Sequence, residues 1–363
     1  MMTNFVQLHI LTSYPPSNLN RDDLGRPKTA LMGGTQRLRI SSQSLKRAWR
    51  TSEIFREALS DYMGIRTKEM GNFIYKALIS GAKLTDILNN GSQAPATYPK
   101  IDEKKAGEIT KQIAGVFGKL KKEGYEIEQL AHFSPEEIKC IENLIADISQ
   151  NDRELTKDDL NILRKDHATI DIAMFGRMLA ANTQYNMEAA VQVAHAITVH
   201  KVSVEDDFFT AVDDLNNGEE DMGSGHLGET EFAAGLFYIY VCINRDLLQK
   251  NLNGDIALTQ KALKALTESA LKVSPTGKQN SFASRAYASY VLAEKGRQQP
   301  RSLSVAFLKS MEDKDLLRKS IEELGTTREK IENVYGKCCE DRVEMNTYTG
   351  EGSIEDILNF IEN

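Results

Sequence analysis

Residues Gly33–Leu59 read GGTQRLRISSQSLKRAWRTSEIFREAL, and the hydrophobic period changes once within them. Over Gln36–Ile40 it is two, with Leu38 and Ile40 on one side, which predicts a short strand. From Ser41 it becomes helical. Leu45, Ala48, Trp49, Ser52, Phe55 and Leu59 fall on one stripe, and Gln43, Lys46, Arg47 and Arg50 group on another face. Ser41 and Ser42 stand at the helix start as candidate caps. A strand running directly into an amphipathic helix is one half of a β-α-β unit.

The flanking sequence supplies the rest. Phe5–Thr12 alternates, with Val6, Leu8 and Ile10 on one face, and predicts a strand. The segment from Ser13 to Gly34 is rich in Pro, Gly and Asn and reads as a long loop. Residues 60–165 are polar and helical in period, with Gly and Pro punctuation, and read as a helical insertion. Strands are expected again at Thr169–Met178, Val191–Val202 and Phe232–Asn244. A helix is expected over Asp255–Val273 and a strand over Ala286–Ala293. From Lys309 the chain reads as helix and loop. Without the insertions the order is β-α-β-β-α-β, so the expected class is α+β with an RRM-like (ferredoxin-like) sheet.

The chain has 363 residues and a formal charge of −7, with 41% apolar and 27% charged residues. No apolar run reaches the ~18 residues of a membrane span. The N-terminus lacks the pattern of a secretory signal, and the four cysteines make neither a disulfide framework nor a zinc knuckle. A reduced, cytoplasmic protein is expected. The negative total argues against nucleic acid only until it is divided by position. Arg21–Arg50 carries +6, Pro275–Lys309 carries +5, and Ser203–Glu231 carries −10. A polyanion responds to the field within about 8 Å, so two basic blocks in an acidic chain can line a phosphate groove.

Candidate motifs divide sharply. GSGHLG at Gly223–Gly228 matches G-x-G-x-x-G in letters, but no buried strand leads into it and its flanks are acidic, so it reads as a loop tip. The six histidines show no metal-ligand spacing. His195 falls on the apolar face of its strand, with Val191, Val193, Ile197 and Val199, and reads as a core histidine. No catalytic triad, metal site or cofactor motif is evident. Asp22 and Asp23 are adjacent acids that more often cap a turn than hold a metal. The richest constellation is NRDD, RPK, GG and RISSQSLKRAWR: a Gly-Gly turn, a serine-started helix and clustered cations, all suited to phosphates rather than bases. Phe208 and Phe209 are consecutive aromatics in the acidic segment. On a strand they face opposite ways, so one is free to stack on a nucleotide.

These stretches resemble the CasC family, the CRISPR-associated protein seven subunit of type I-E Cascade. FVQLHIL, SNLNRDD, RISSQSLKRAWR, DIAMFGRM, AHAITVHKV, FFTAVDDL and HLGETEFAAG carry the likeness. The resemblance implies a palm at residues 1–59, 166–202 and 232–308, helical fingers at 60–165, an acidic hairpin thumb at 203–231 and a helical tail at 309–363. It further implies a non-catalytic subunit that polymerises head-to-tail with copies of itself along CRISPR RNA, beside other Cascade subunits, and presents the RNA for pairing with target DNA. On this resemblance Arg21, Lys28, Gly33, Gly34, Ser41, Gln43, Lys46, Arg47, Arg50 and, more weakly, Lys278 contact the RNA. Met178, Phe208, Phe209, Val212 and Leu227 fall where the thumb wedge lies. Neither membrane nor cofactor is implied. The alternative is an endoribonuclease of a related CRISPR backbone type, using Asp22 or Asp23 as its acid.

Overall fold

The computed structural model describes residues 4–91, 94–165, 168–211 and 226–362. In chain order the strands are β1 (Phe5–Ser17), β2 (Thr29–Met32), β3 (Thr35–Ile40), β4 (Ile65–Thr67), β5 (Ala131–Phe133), β6 (Val191–Val193), β7 (Ala196–Thr198), β8 (Glu205–Ala211), β9 (His226–Asn244), β10 (Tyr290–Gly296) and β11 (Asp341–Asn346). The helices are α1 (Ser42–Arg50), α2 (Glu53–Leu59), α3 (Met70–Ser80), α4 (Leu84–Asn90), α5 (Glu103–Gly115), α6 (Pro135–Asn151), α7 (Ile170–Phe175), α8 (Arg245–Asn251), α9 (Ile256–Lys272), α10 (Gln279–Phe282), α11 (Leu316–Tyr335) and α12 (Ile354–Glu362). No helix among the described residues is long and apolar enough to cross a membrane. The class is α+β, with an antiparallel main sheet. The chain divides into two compact units, one of Met1–Ala58, Val191–Asp246 and Gln260–Asn363, the other of Leu59–Ala190 and Leu247–Thr259.

The first unit is built on a sheet ordered β11-β10-β1-β9-β7-β3-β2, with β6 and β8 also paired to β9. The order β10-β1-β9-β7 places the last strand of the β-α-β-β-α-β plan beside the first, then the third, then the second. β1 is central, and both of its faces are buried: Val6, Leu8 and Ile10 on one, Gln7, His9 and Leu11 on the other. The hydroxyls of Ser52, just after α1, and Ser269 of α9 lie 3.3 Å apart, which brings those two helices side by side. The other face of β1 carries a second core, in which Leu11, Tyr238 and Leu292 meet Leu303, Phe307 and Leu324 of the C-terminal segment. The tail, expected to be helix and loop, therefore does more. It covers one face of the sheet with α11, and β11 extends its edge beside β10.

A buried polar network sits beneath that cover. His9 Nδ1 lies 2.9 Å from the Tyr238 hydroxyl, and His9 Nε2 lies 3.4 Å from Glu294. Glu294 also accepts from Arg301, and Gln7 Oε1 accepts from the Tyr240 hydroxyl and the Arg301 amide at 2.8 Å each. Burial pushes the Glu294 carboxyl up, but His9 and Arg301 outweigh it and hold it at about 2. Burial holds His9 below its ordinary value against the pull of Glu294. Below pH ~6.5 the unfolded chain binds a proton at His9 that the folded chain refuses, so stability is lost as the pH falls. Glu294 adds a second loss as pH falls from about 4.5 towards 2, through the range where only the unfolded carboxylate is protonated. We expect the melting temperature to drop on acidification from pH 7.5 to 4, and the upper part of the drop to shrink in His9→Gln. A melting temperature independent of pH over that range would overturn this account.

In the second unit, α3, α4, α5 and α6 enclose a core that includes Ile74, Leu78, Leu84, Ile113, Ile141 and Ile145. Beside it lies a buried ion pair: Arg177 Nη1 donates to the Glu137 carboxylate at 2.8 and 2.9 Å. Glu137 also completes the capping box that starts α6 with Ser134.

Five further expected elements differ. The loop expected from Ser13 to Gly34 holds the end of β1 and all of β2. Thr169–Met178 is not a strand: Ile170–Phe175 forms α7, and its buried Asp171 accepts from the Gly64 amide at 2.9 Å. Short apolar runs of this kind carry too little period to separate helix from strand. The helix expected through Leu59 breaks at Thr51 and Ser52, whose hydroxyls donate back to the carbonyls of Arg47 and Trp49. The strand expected at Ala286–Ala293 starts later, at Tyr290. Val191–Val202 is two short strands, because the register against β9 slips by one residue between Val193 and Ile197. That slip is a bulge, and it exchanges the faces of the sheet. Ala196 and Thr198 are buried beyond it, and His195, expected in the core, is exposed.

Candidate nucleic-acid interface

The basic helix face forms as its sequence dictates. Leu45, Ala48 and Trp49 of α1 are buried. At 3.6 residues per turn, Gln43, Lys46, Arg47 and Arg50 share an arc of about 100° on the other side. Gln43 and Arg47 are exposed, and Lys46 and Arg50 are half-buried. Ser41 is the N-cap, its Oγ accepting from the Ser44 amide at 3.3 Å. That bond uses an acceptor lone pair, so Ser41 caps α1 and keeps its O–H as a donor.

The loop from Asn18 to Lys28 is tied to this helix start. Asn20 accepts from the Ser41 amide through its side chain and from the Lys28 amide through its carbonyl, each at 2.8 Å. Asn18 is fully buried and donates to the carbonyls of Gly25 and Glu231. Asp22 Oδ1 accepts from the amides of Leu24 and Arg26, so this carboxylate organises the loop. Arg21 is exposed and pairs through its backbone with Pro27. A methyl group added at Gly277 would lie 2.2 Å from the Leu19 carbonyl, which sets the PTGKQNSF segment against the same loop. Lys278 follows it, exposed and in the left-handed region at φ 50. The structure therefore gathers Arg21, Lys28, Lys278 and the start of the basic helix α1 around one loop.

The remaining candidates separate. Gly33 and Gly34 both have positive φ and make the two-residue turn between β2 and β3. A Cβ at Gly33 would sit 1.7 Å from the Leu308 carbonyl, so this glycine serves the chain's own packing, and only Gly34 faces open space. Not all counted cations reach a groove. Arg37 is fully buried and donates to the carbonyls of Thr198 and Phe307. In the second basic block Arg301 is spent on Glu294, and Lys295 lies 4.5 Å over the Phe360 ring. Two residues were missed as site members. Arg39, half-buried on β3, places Nη1 2.7 Å from His195 Nδ1. The alternation R-L-R marks Arg39 as outward beside Leu38, but nothing in the sequence announces the bulge that brings His195 to it.

β8 and the start of β9 form a hairpin in register from Glu205–Phe232 to Ala211–His226. Phe208 is 67% exposed, opposite Glu229. Phe209 is opposite Gly228, and its ring occupies the space that a Cβ there would need. Both phenylalanines are exposed, Phe208 the more so, while Phe209 at 43% also covers a glycine. Leu227 is opposite Thr210. Val212 lies outside the described residues, as does the first half of the GSGHLG segment. Met178 is 74% exposed and belongs to the second unit, following α7 and Gly176. The hairpin is acidic through Glu205, Asp206, Asp207 and Glu229, and its base is held by Arg26 to Glu231 at 3.0 Å and by the Phe232 and Phe282 rings.

Comparison with curated proteins finds no match. Among solved structures, a chain described as "CRISPR RNA-guided surveillance complex, pre-nicking" superposes with a TM-score of 0.80 at 28% identity, over 98% of this chain and 100% of that one. A chain described as "CRISPR RNA-guided surveillance complex" gives 0.56 at 25% identity, over 98% and 99%. The family described as CT1975-like protein matches residues 6–356. The match spans nearly the whole chain, and the chain belongs to the CT1975-like family.

Proposed function

We propose that this chain is an RNA-binding backbone subunit of a CRISPR RNA-guided surveillance complex, of the CasC kind found in type I-E Cascade. One observation carries the reading: the start of the basic helix α1, Lys28 and Lys278 meet at a single stitched loop whose Asn18 also grips the base of a hairpin bearing an exposed Phe208. The similarity to chains of surveillance complexes supports it, and the CasC motifs support the type. The α1 face and its loop hold phosphates without reading bases, which leaves base edges available for pairing with target DNA. Phe208 acts as the wedge in the RNA path. Copies assemble head-to-tail beside other Cascade subunits in the cytoplasm, the acidic hairpin of one meeting a basic surface of the next. Such a heterologous contact makes an open filament when its rotation does not close on itself. The subunit cuts nothing and needs no cofactor.

The test is assembly on CRISPR RNAs of increasing length, followed by native mass spectrometry. Copies should be added in whole steps at a fixed RNA increment. Phe208→Ala should preserve loading but change the nuclease footprint, whereas an unchanged footprint would remove Phe208 as the wedge. Incubating the assembly with complementary RNA and magnesium addresses the alternative. Regularly spaced cleavage products would identify an endoribonuclease and sink the non-catalytic reading.

A further inference from the structure

Resting on the RNA-backbone reading, we propose that Lys28, Arg39 and His195 form one RNA phosphate site, in which the lysine and arginine supply charge and His195 supplies a neutral hydrogen-bond donor. The three residues come from the loop, β3 and the bulge between β6 and β7. Arg39 donates its amide to the Lys28 carbonyl at 2.8 Å, so the two residues are cross-strand neighbours. Arg39 then reaches His195, with Nη1 2.7 Å from Nδ1. A guanidinium has donors only, so Nδ1 must accept, and the single proton of the ring sits on Nε2. Burial, then Arg39 and Lys28, holds the imidazole below its ordinary value, in keeping with the neutral form. The ring is exposed, and among the described residues no group accepts from Nε2. Two cations and an outward N–H are the donor set that a phosphodiester oxygen takes. The bulge is what makes the site possible, since without the one-residue slip His195 would point into the sheet.

The neutral donor separates this site from a plain basic patch. Losing a cation reduces counterion release, by about 0.7 in the salt slope on a single strand, whereas losing a neutral donor lowers affinity and leaves the slope alone. The experiment titrates labelled CRISPR RNA with the full chain at several salt concentrations. The wild type is compared with His195→Ala, His195→Gln, Arg39→Ala and Arg47→Ala, each checked for an unchanged melting curve. His195→Ala should weaken binding about threefold to tenfold with the wild-type slope, the loss expected for one hydrogen bond. His195→Gln should stay within about twofold of wild type, because its amide can accept from Arg39 and still donate outward. Arg39→Ala should weaken binding and flatten the slope. If His195→Ala binds like wild type, shifts the slope as Arg39→Ala does, or is not rescued by glutamine, the proposal is overturned. Arg47 lies outside this site. If Arg47→Ala also binds like wild type, the RNA-backbone reading itself fails; if Arg47→Ala weakens binding and His195→Ala does not, only the phosphate site does.

Discussion

Replacing Lys46, Arg47 and Arg50 together with alanine is expected to weaken retention of CRISPR RNA about a hundredfold at moderate salt. Three exposed or half-exposed cations facing a phosphate chain contribute about 1 kcal/mol each, and every 1.4 kcal/mol is tenfold. The salt slope should fall by about 2, the sum of three single-strand contacts. The loss should be the same for unrelated spacer sequences, because phosphates carry no base information. The helix itself should survive. Its burial rests on Leu45, Ala48 and Trp49, its N-cap on Ser41, and alanine is the best helix former. Filter binding with two spacers at several salt concentrations is a sufficient check. A loss confined to one spacer would mean that α1 reads bases and would remove the phosphate-cradle account.

What was legible in the sequence follows from how far each signal reaches along the chain. The alternation at Val6, Leu8 and Ile10 and the stripe at Leu45, Ala48 and Trp49 are local, repeat over several residues, and appear as written. The cation face of α1 follows from the same helix period. Other features depend on partners hundreds of residues away. Arg37 and Arg39 are both arginines on one strand, yet Thr198 and Phe307 bury the first while His195 meets the second. Gly33 looks like a phosphate-turn glycine until Leu308 arrives against it. The bulge before β7 is one residue of slip with no residue type of its own to mark it. The helical tail hid β11, because DRVEMN is too short and too polar to declare a strand without β10 beside it. Charge blocks were the coarsest guide. They marked α1 and its loop as basic but counted Arg37 and Arg301 as if they faced solvent.

Glu137→Ala and Arg177→Ala should each destabilise the helical unit by about 3–5 kcal/mol, the cost of leaving one buried charge without its partner. Glu137 is fully buried and Arg177 is 5% exposed. The carboxylate accepts from the amides of Ser134 and Arg164 as well as from Arg177. The guanidinium also donates to the carbonyls of Arg164 and Tyr185. Either single change therefore strands an ion and several backbone groups with it. The double variant Glu137→Leu/Arg177→Met removes both charges and keeps most of the volume, so it should lose much less than the two singles combined. Urea denaturation of all three variants checks this; a single-variant loss below about 1 kcal/mol would mean that solvent reaches the pair. The pair also bears on Met178. Arg177 immediately precedes the exposed Met178, and the Leu179 amide donates to Asn186 at 2.6 Å. Met178 is thus held on both sides by buried or bonded neighbours, and an apolar side chain so exposed keeps its place only through them. Loss of Arg177 should accordingly speed amide exchange at Met178 and Leu179 before the rest of the unit opens, whereas Met178→Ala should leave that exchange and the urea midpoint nearly unchanged.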